Sequence, residues 1–234
     1  MTKEFIRDDG RKFDEIREMK AKVGVIPNAD GSAMFAFGKT VAIAAVYGPR
    51  KMHPHRLQDS KKAVLRCEYN MISFSTEERI RPGPSRRSQE ISKITEWALE
   101  PILMLEKYPG MVVDVYINII QASASTRCAG INAAAMALAH AGIPMKGLVS
   151  SISIGKLDKQ LVVDVNKYED SVFDEGEEGA TDIPFTFTDD GKITHLQLDG
   201  KISVETFKEA LKLAKNAREK VLEVQRKALK ESVE

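Results

Sequence analysis

Three groups of residues in this chain are of types that could do chemistry. The first is Ser123, Ser125, Thr126 and Arg127, which stand directly before a run of Ala, Gly, Met and Leu that stops at Gly142-Ile143-Pro144. Free amides at a helix start, the positive end of its dipole and a fork of arginine donors together suit an anion such as phosphate. The alternative is a tightly packed small-residue helix, its first N–H groups capped by the hydroxyls and Arg127 merely solvated. The second group is Arg86 and Arg87, which open a helical pattern although the dipole disfavours cations there. That placement argues for an anionic ligand, with an ion pair to Glu90 as the competing reading. The third group is Asp164, Glu169 and Asp170, clustered after a predicted hairpin. Paired carboxylates suit acid–base work or metal binding; taken alone, an ordinary acidic turn is the simpler reading.

A fourth stretch offers charge rather than chemistry. Gly48 to Lys62 holds Arg50, Lys51, Arg56, Lys61 and Lys62 among two prolines, His53 and His55. Such a loop suits nucleic acid phosphates, and a solvated loop explains it as well. The two histidines have no further ligand cluster near them in sequence, which argues against a metal site. Arg66, Glu68 and Asn70 then share one face of the next strand.

The elements that must position these residues follow from periodicity. Met19 to Ile26, Ser32 to Phe37, Thr40 to Tyr47, Ala63 to Met71 and Val112 to Gln121 read as strands. Thr40 to Tyr47 is apolar on both faces and therefore central in its sheet. Ile91, Ile94, Ala98 and Ile102 recur at helical spacing, with a kink or restart at Pro101. Leu148 to Ile154 and Leu161 to Val165 flank a turn at Leu157-Asp158-Lys159. An acidic loop follows from Phe173 to Asp182, then a hairpin of Ile183 to Phe187 and Lys192 to Leu198 around Asp190-Gly191. Ser203 caps a final helix with Phe207, Leu211, Ala214, Val221 and Ala228 on one face and a charged last two turns expected to fray. Residues Thr2 to Glu18 look too polar for the core. The class is α+β, with two mixed sheets and packed helices. Two halves, 1–145 and 146–234, each run strands-then-helix and hint at an internal duplication.

The totals set outer bounds. At 234 residues the chain can bury a substantial core. Lys and Arg number 35 against 34 Asp and Glu, so net charge says nothing about a polyanionic partner and distribution must decide. Cys67 and Cys128 lie in apolar surroundings and read as buried reduced thiols, not a disulfide framework. Charges begin at Lys3, and no stretch reaches the ~20 apolar residues of a membrane span; the expectation is a cytoplasmic protein that does not meet the membrane.

With these stretches laid out, the chain is identified as a member of the RNase PH family and resembles the catalytic ring subunits of archaeal exosomes. The resemblance rests on DGRKFDEIR (Asp9 to Arg17), NADGSA (Asn28 to Ala33), VYGPR (Val46 to Arg50), FSTEERIRPGPSRRSQEIS (Phe74 to Ser92), STRCAG (Ser125 to Gly130), AGIPM (Ala141 to Met145), DVNKYED (Asp164 to Asp170) and LDG (Leu198 to Gly200). It implies an RNase PH-type fold and phosphorolytic 3′→5′ exoribonuclease activity, with inorganic phosphate as co-substrate and nucleoside diphosphates released from single-stranded RNA. Ser125, Thr126 and Arg127 would hold the phosphate, and Arg86 and Arg87 the phosphates of the RNA 3′ end. Asp170 would protonate the leaving 3′ oxygen, with Asp164 supporting it or helping to bind Mg or Mn. Arg50, Arg56, Lys61, Lys62 and Arg66 would guide threaded RNA. The implied partners are a related non-catalytic subunit in a hetero-hexameric ring and RNA-binding cap subunits. The alternatives are an inactive RNA-threading subunit and a homohexamer that trims transfer RNA ends. Three residues depart from the family's pattern: Ser123 replaces an aspartate, Ser125 a glycine and Glu68 an RNA-facing arginine. The acidic loop after Asp170 is also longer than usual.

Overall fold

The computed structural model describes residues 7–157, 160–174 and 180–232. Strands β1 (Met19–Val23), β2 (Gly31–Phe37), β3 (Thr40–Lys51), β4 (Val64–Met71) and β5 (Met111–Gln121) form one sheet in the order β1-β2-β3-β5-β4. Short turns make the first pairings antiparallel; Gly38, at φ 53°, supplies the left-handed residue of the β2–β3 turn. β4 instead runs parallel to β5. A parallel pair needs a crossover, and helix α1 (Arg86–Leu99) lies within it. Ile91, Ile94, Ala98 and Leu99 form its buried side, and it gives way at Pro101 to a short 3₁₀ turn.

Helix α2 (Thr126–His140) lies at the centre of the molecule. Every residue from Cys128 to Leu138 is buried. The small side chains are needed because the first sheet presses closely on it: a Cβ on Gly130 would stand 3.2 Å from Ile117, and one on Gly31 would be 2.4 Å from the Ala137 carbonyl. Phe35, Phe37, Ile117 and Ile119 are all under 2% exposed, and burying each such side chain contributes about 1.5–3 kcal/mol.

On the far side of α2 lies the second sheet, β6 (Val149–Leu157), β7 (Gln160–Val163), β8 (Ala180–Thr188) and β9 (Ile193–Leu196), in the order β7-β6-β8-β9. Of the two mixed sheets expected, this one is antiparallel in every pairing, because its β6–β7 and β8–β9 pairs are hairpins and β8 returns alongside β6. Asn132 ties α2 to it, exchanging two hydrogen bonds with the Ser151 backbone at 2.9 and 2.8 Å. Helix α4 (Val204–Glu231), capped by Ser203, donates to the same cluster through Gln225.

Four expectations change. β3 continues past a bulge to Lys51, so Arg50 belongs to a strand and not to the basic loop. The cluster after Val163 is helix α3 (Lys167–Asp174), started by reciprocal bonds between Asn166 and Glu169. α4 holds to Glu231 with its charged end intact. The N-terminal stretch is not merely superficial: Arg7 is 2% and Arg17 8% exposed. Asp158 and Lys159 of the expected turn, and residues 175–179 of the acidic loop, lie outside the described residues.

Candidate active site

Strand β5 delivers the chain into a turn, Ser123 to Ser125, that aims the start of α2. Ala124 and Ser125 are both left-handed, at φ 56° and 53°, a conformation side chains rarely adopt unless held. The restraints are on both flanks. Thr40 Oγ1 donates to the Ala124 carbonyl at 2.7 Å and accepts from the Ser123 amide at 2.9 Å, and Arg17 Nη1 donates to the Ser123 carbonyl at 2.5 Å. Ser125 Oγ donates to Asp164 Oδ1 at 2.9 Å. Ser125 is therefore held in the left-handed backbone that glycine adopts most readily. Its hydroxyl is turned to Asp164 and caps nothing in α2, contrary to the expectation that these hydroxyls satisfy the first amides. The Thr126 side chain is buried, so Ser125, Arg127 and the first-turn N–H groups are what the turn presents.

Arg127 is steered by its neighbours. Its Nη1 donates to Gln197 Oε1, its Nη2 stands 3.9 Å from Glu90, and Gln197 Nε2 donates to Glu90 at 3.3 Å. Glu90 is thus the partner of Arg127, not of Arg86 or Arg87. Those two are exposed at the start of α1, where Ser85 and Ser88 form a reciprocal capping box, and among the described residues neither makes an ion pair. His195, on β9, lies within the field of Arg127. Burial, and then the Arg127 charge, bring its imidazole down to about 4, so it is neutral near pH 7.

Of the expected carboxylates, Asp164 is held where it cannot do this chemistry. Asp164 is sealed, with its side chain 0% exposed, and Arg17 grips both its oxygens at 2.8 and 2.6 Å while the Arg17 amide adds a third bond at 3.0 Å. Arg11 lies 3.7 Å away. Burial alone would raise Asp164, but the hydrogen bonds and charge of Arg17 carry it below the usual carboxylate range. It has no proton to give at neutral pH, and its cationic shell does not fit a divalent metal ion. Asp170 is exposed on α3. Among the described residues the acidic group that could hold a metal is Asp8, Asp9 and Glu169, and Glu169 is already engaged by Arg7 at 2.6 and 2.9 Å.

A different carboxylate stands with the arginines. Asp182, near the start of β8, is open to solvent, yet enough protein surrounds it that desolvation raises its affinity for a proton. A bond from Ser153 Oγ and the charges of Arg127 and Arg87 oppose that rise without cancelling it. Its backbone exchanges hydrogen bonds with Asp199 of the LDG stretch, both at 3.1 Å. Sequence reading merged Asp182 with the acidic loop. The available signal was its place at the head of the alternating strand Ile183, Phe185, Phe187, which marks a fixed position. Arg7, Arg11 and Arg17 were missed for a similar reason, since buried arginines look like surface ones until their partners are known.

The remaining basic residues separate. Arg50 and Arg66 meet on Asp114, Lys62 pairs with Glu100, and Arg56 and Lys61 are exposed. Glu68 is exposed on the same face of β4 as Arg66.

Residues 15–144 match domain 1, and residues 147–217 domain 2, of the 3′ exoribonuclease family. The chain belongs to the 3′ exoribonuclease family. It is 46% identical over 234 residues to the exosome complex component Rrp41 of Methanosarcina mazei, covering all of this chain and 46% of that protein. It is 51% identical over 226 residues to Rrp41 of Pyrococcus furiosus, covering 96% of this chain and 88% of that protein. Two solved structures share the fold at 23% identity. Rice Rrp46 gives a TM-score of 0.83 over 95% of this chain and 100% of that one, and an Archaeoglobus fulgidus exosome with RNA bound to the active site gives 0.80 over 93% and 92%. Among the described residues, no helix of the chain is long and apolar enough to cross a membrane.

Proposed function

We propose that this chain is the phosphorolytic subunit of an exosome ring, removing nucleotides from the 3′ end of single-stranded RNA with inorganic phosphate. The observation that carries this reading is Asp182, a solvent-open carboxyl with raised proton affinity standing in the field of Arg127 and Arg87. Phosphate binds at the start of α2 through Arg127 and the free first-turn amides, with Ser125 holding the turn in place through its bond to Asp164. Arg86 and Arg87 hold the terminal phosphodiester. Bringing two anions together is the main obstacle, and fixed cations remove much of it. A phosphate oxygen attacks the terminal phosphorus, the bond from phosphorus to the 3′ oxygen of the preceding nucleotide breaks, and that oxygen takes the proton of Asp182. The products are a nucleoside diphosphate and RNA one nucleotide shorter, and the reverse reaction extends the chain. Asp164 is a positioning residue that clamps Ser125 and Arg17 to the phosphate turn.

The same reading places the chain in the cytoplasm, beside a related non-catalytic subunit and RNA-binding caps. It also divides the chain into two halves at residue 145. All strands of the first sheet precede that point and all strands of the second follow it. The test is incubation of the chain, alone and with its ring partner, with single-stranded RNA and phosphate. Phosphate-dependent release of nucleoside diphosphates is expected. Release of monophosphates, or of nothing from either preparation, would overturn the reading.

A further inference from the structure

On the outer face of the first sheet, one carboxylate holds two arginines. Asp114, with its side chain 3% exposed, accepts from Arg66 Nε at 2.6 Å through one oxygen. Through the other it accepts from Arg50 Nε at 3.2 Å and Nη2 at 2.5 Å. The β4–β5 register sets Arg66 directly opposite Asp114, and the bulge in β3 between Tyr47 and Arg50 re-aims Arg50 at the same point. The two arginine side chains remain 52% and 45% exposed.

Their geometry distinguishes this group from an ordinary surface ion pair. One carboxylate cannot neutralise two guanidiniums, so the trio itself keeps a net positive charge, with Glu68 exposed two residues along the same face of β4. Each arginine is anchored along its Nε edge. Among the described residues no acceptor is bonded to Nη1 or Nη2 of Arg66, or to Nη1 of Arg50. Those are planar donors held in fixed directions at the surface, suited to the oxygens of a phosphodiester. Asp114 precedes Gln121, the last residue of β5, by seven positions. At ~3.3 Å per residue that is ~23 Å from the phosphate turn, too far to touch the bond being broken.

We infer that Asp114 is a positioning residue that fixes Arg50 and Arg66 as a two-pronged clip for the RNA backbone upstream of the cleaved bond. This rests on the phosphorolytic reading of the site. Charge and positioning make opposite forecasts for Asp114→Asn. Removing a negative charge strengthens RNA binding if charge alone matters. Loss of the shared anchor weakens it, because a neutral amide with one acceptor oxygen cannot hold both forks.

The experiment uses the assembled ring and two single-stranded RNAs of one composition, one too short to span ~23 Å from the phosphate turn and one much longer. Dissociation constants are measured by fluorescence at fixed salt, alongside phosphorolysis. Asp114→Asn is expected to weaken the long RNA roughly tenfold and to shorten the run of nucleotides removed per encounter, leaving binding and turnover of the short RNA unchanged. Arg66→Lys, which keeps the charge and loses the fork, should do the same to a smaller degree. Equal or tighter binding of the long RNA by Asp114→Asn overturns the clip, as does equal weakening of both RNAs. Should the parent ring bind both RNAs but release no diphosphates, the catalytic reading fails while the binding ratio still decides the clip. A parent ring that binds neither RNA overturns both.

Discussion

Asp164 and Asp182 are two aspartates beside the same turn with opposite surroundings. Asp164 is shut away from water with arginine on both oxygens, and its affinity for a proton falls below that of a free carboxylate. Asp182 is open to solvent with a single serine donor, and its affinity rises. The first is ionised at any physiological pH and acts by holding things in place. In the proposed reaction it is the second that supplies the proton. Burial and paired charge are therefore separate levers, and depth alone does not mark a catalytic acid.

The comparison breaks most visibly in stability. Asp164→Ala leaves the buried Arg17 without its partner and is expected to cost about 3–5 kcal/mol, read from chemical denaturation. Because the folded-state pKa of Asp164 is depressed, its contribution is complete above the ordinary value of 3.8 and fades as pH falls through the lower folded value. The gap between parent and variant should therefore close in acid. Arg127→Ala is expected to leave the fold intact and to lower kcat/KM for phosphate by about 10²–10³; an unchanged phosphate dependence would remove Arg127 from the site.

Smaller changes sharpen the contrast. If Asp182 is the acid, the rate falls as pH rises through its pKa. Ser153→Ala removes a bond that favours the charged form, so this alkaline limb should move to higher pH. Movement to lower pH, or none, would contradict the role given to that bond. Ser125→Gly keeps the left-handed turn and loses one hydrogen bond to Asp164, worth about 1 kcal/mol. A change of only severalfold in KM for phosphate is expected.

Much of this was legible in the sequence because it depends on local pattern. Apolar periodicity marks α1 and every strand of the first sheet, and hydroxyls with Arg127 before a small-residue helix mark the turn proposed to hold phosphate. Residues whose meaning depends on distant partners were not legible. Asp164 and Asp170 look alike in DVNKYED, and only the approach of Arg17, more than a hundred residues earlier, separates a sealed ion pair from an exposed side chain. Asp182 acquires its setting from α1, α2 and β6 at once. In sequence Glu90 offers itself as a competing partner for the arginines next to it, whereas the fold gives it to Arg127.

The central claim is that Asp182, and neither Asp164 nor Asp170, supplies the proton. Single-turnover release of nucleoside diphosphate by Asp182→Asn and Asp170→Asn, each assembled in the ring and saturated with RNA and phosphate, tests it most directly. Asp182→Asn should be slower by about 10²–10⁴ with RNA affinity unchanged, while Asp170→Asn matches the parent. A fast Asp182→Asn beside an inert Asp170→Asn would contradict it.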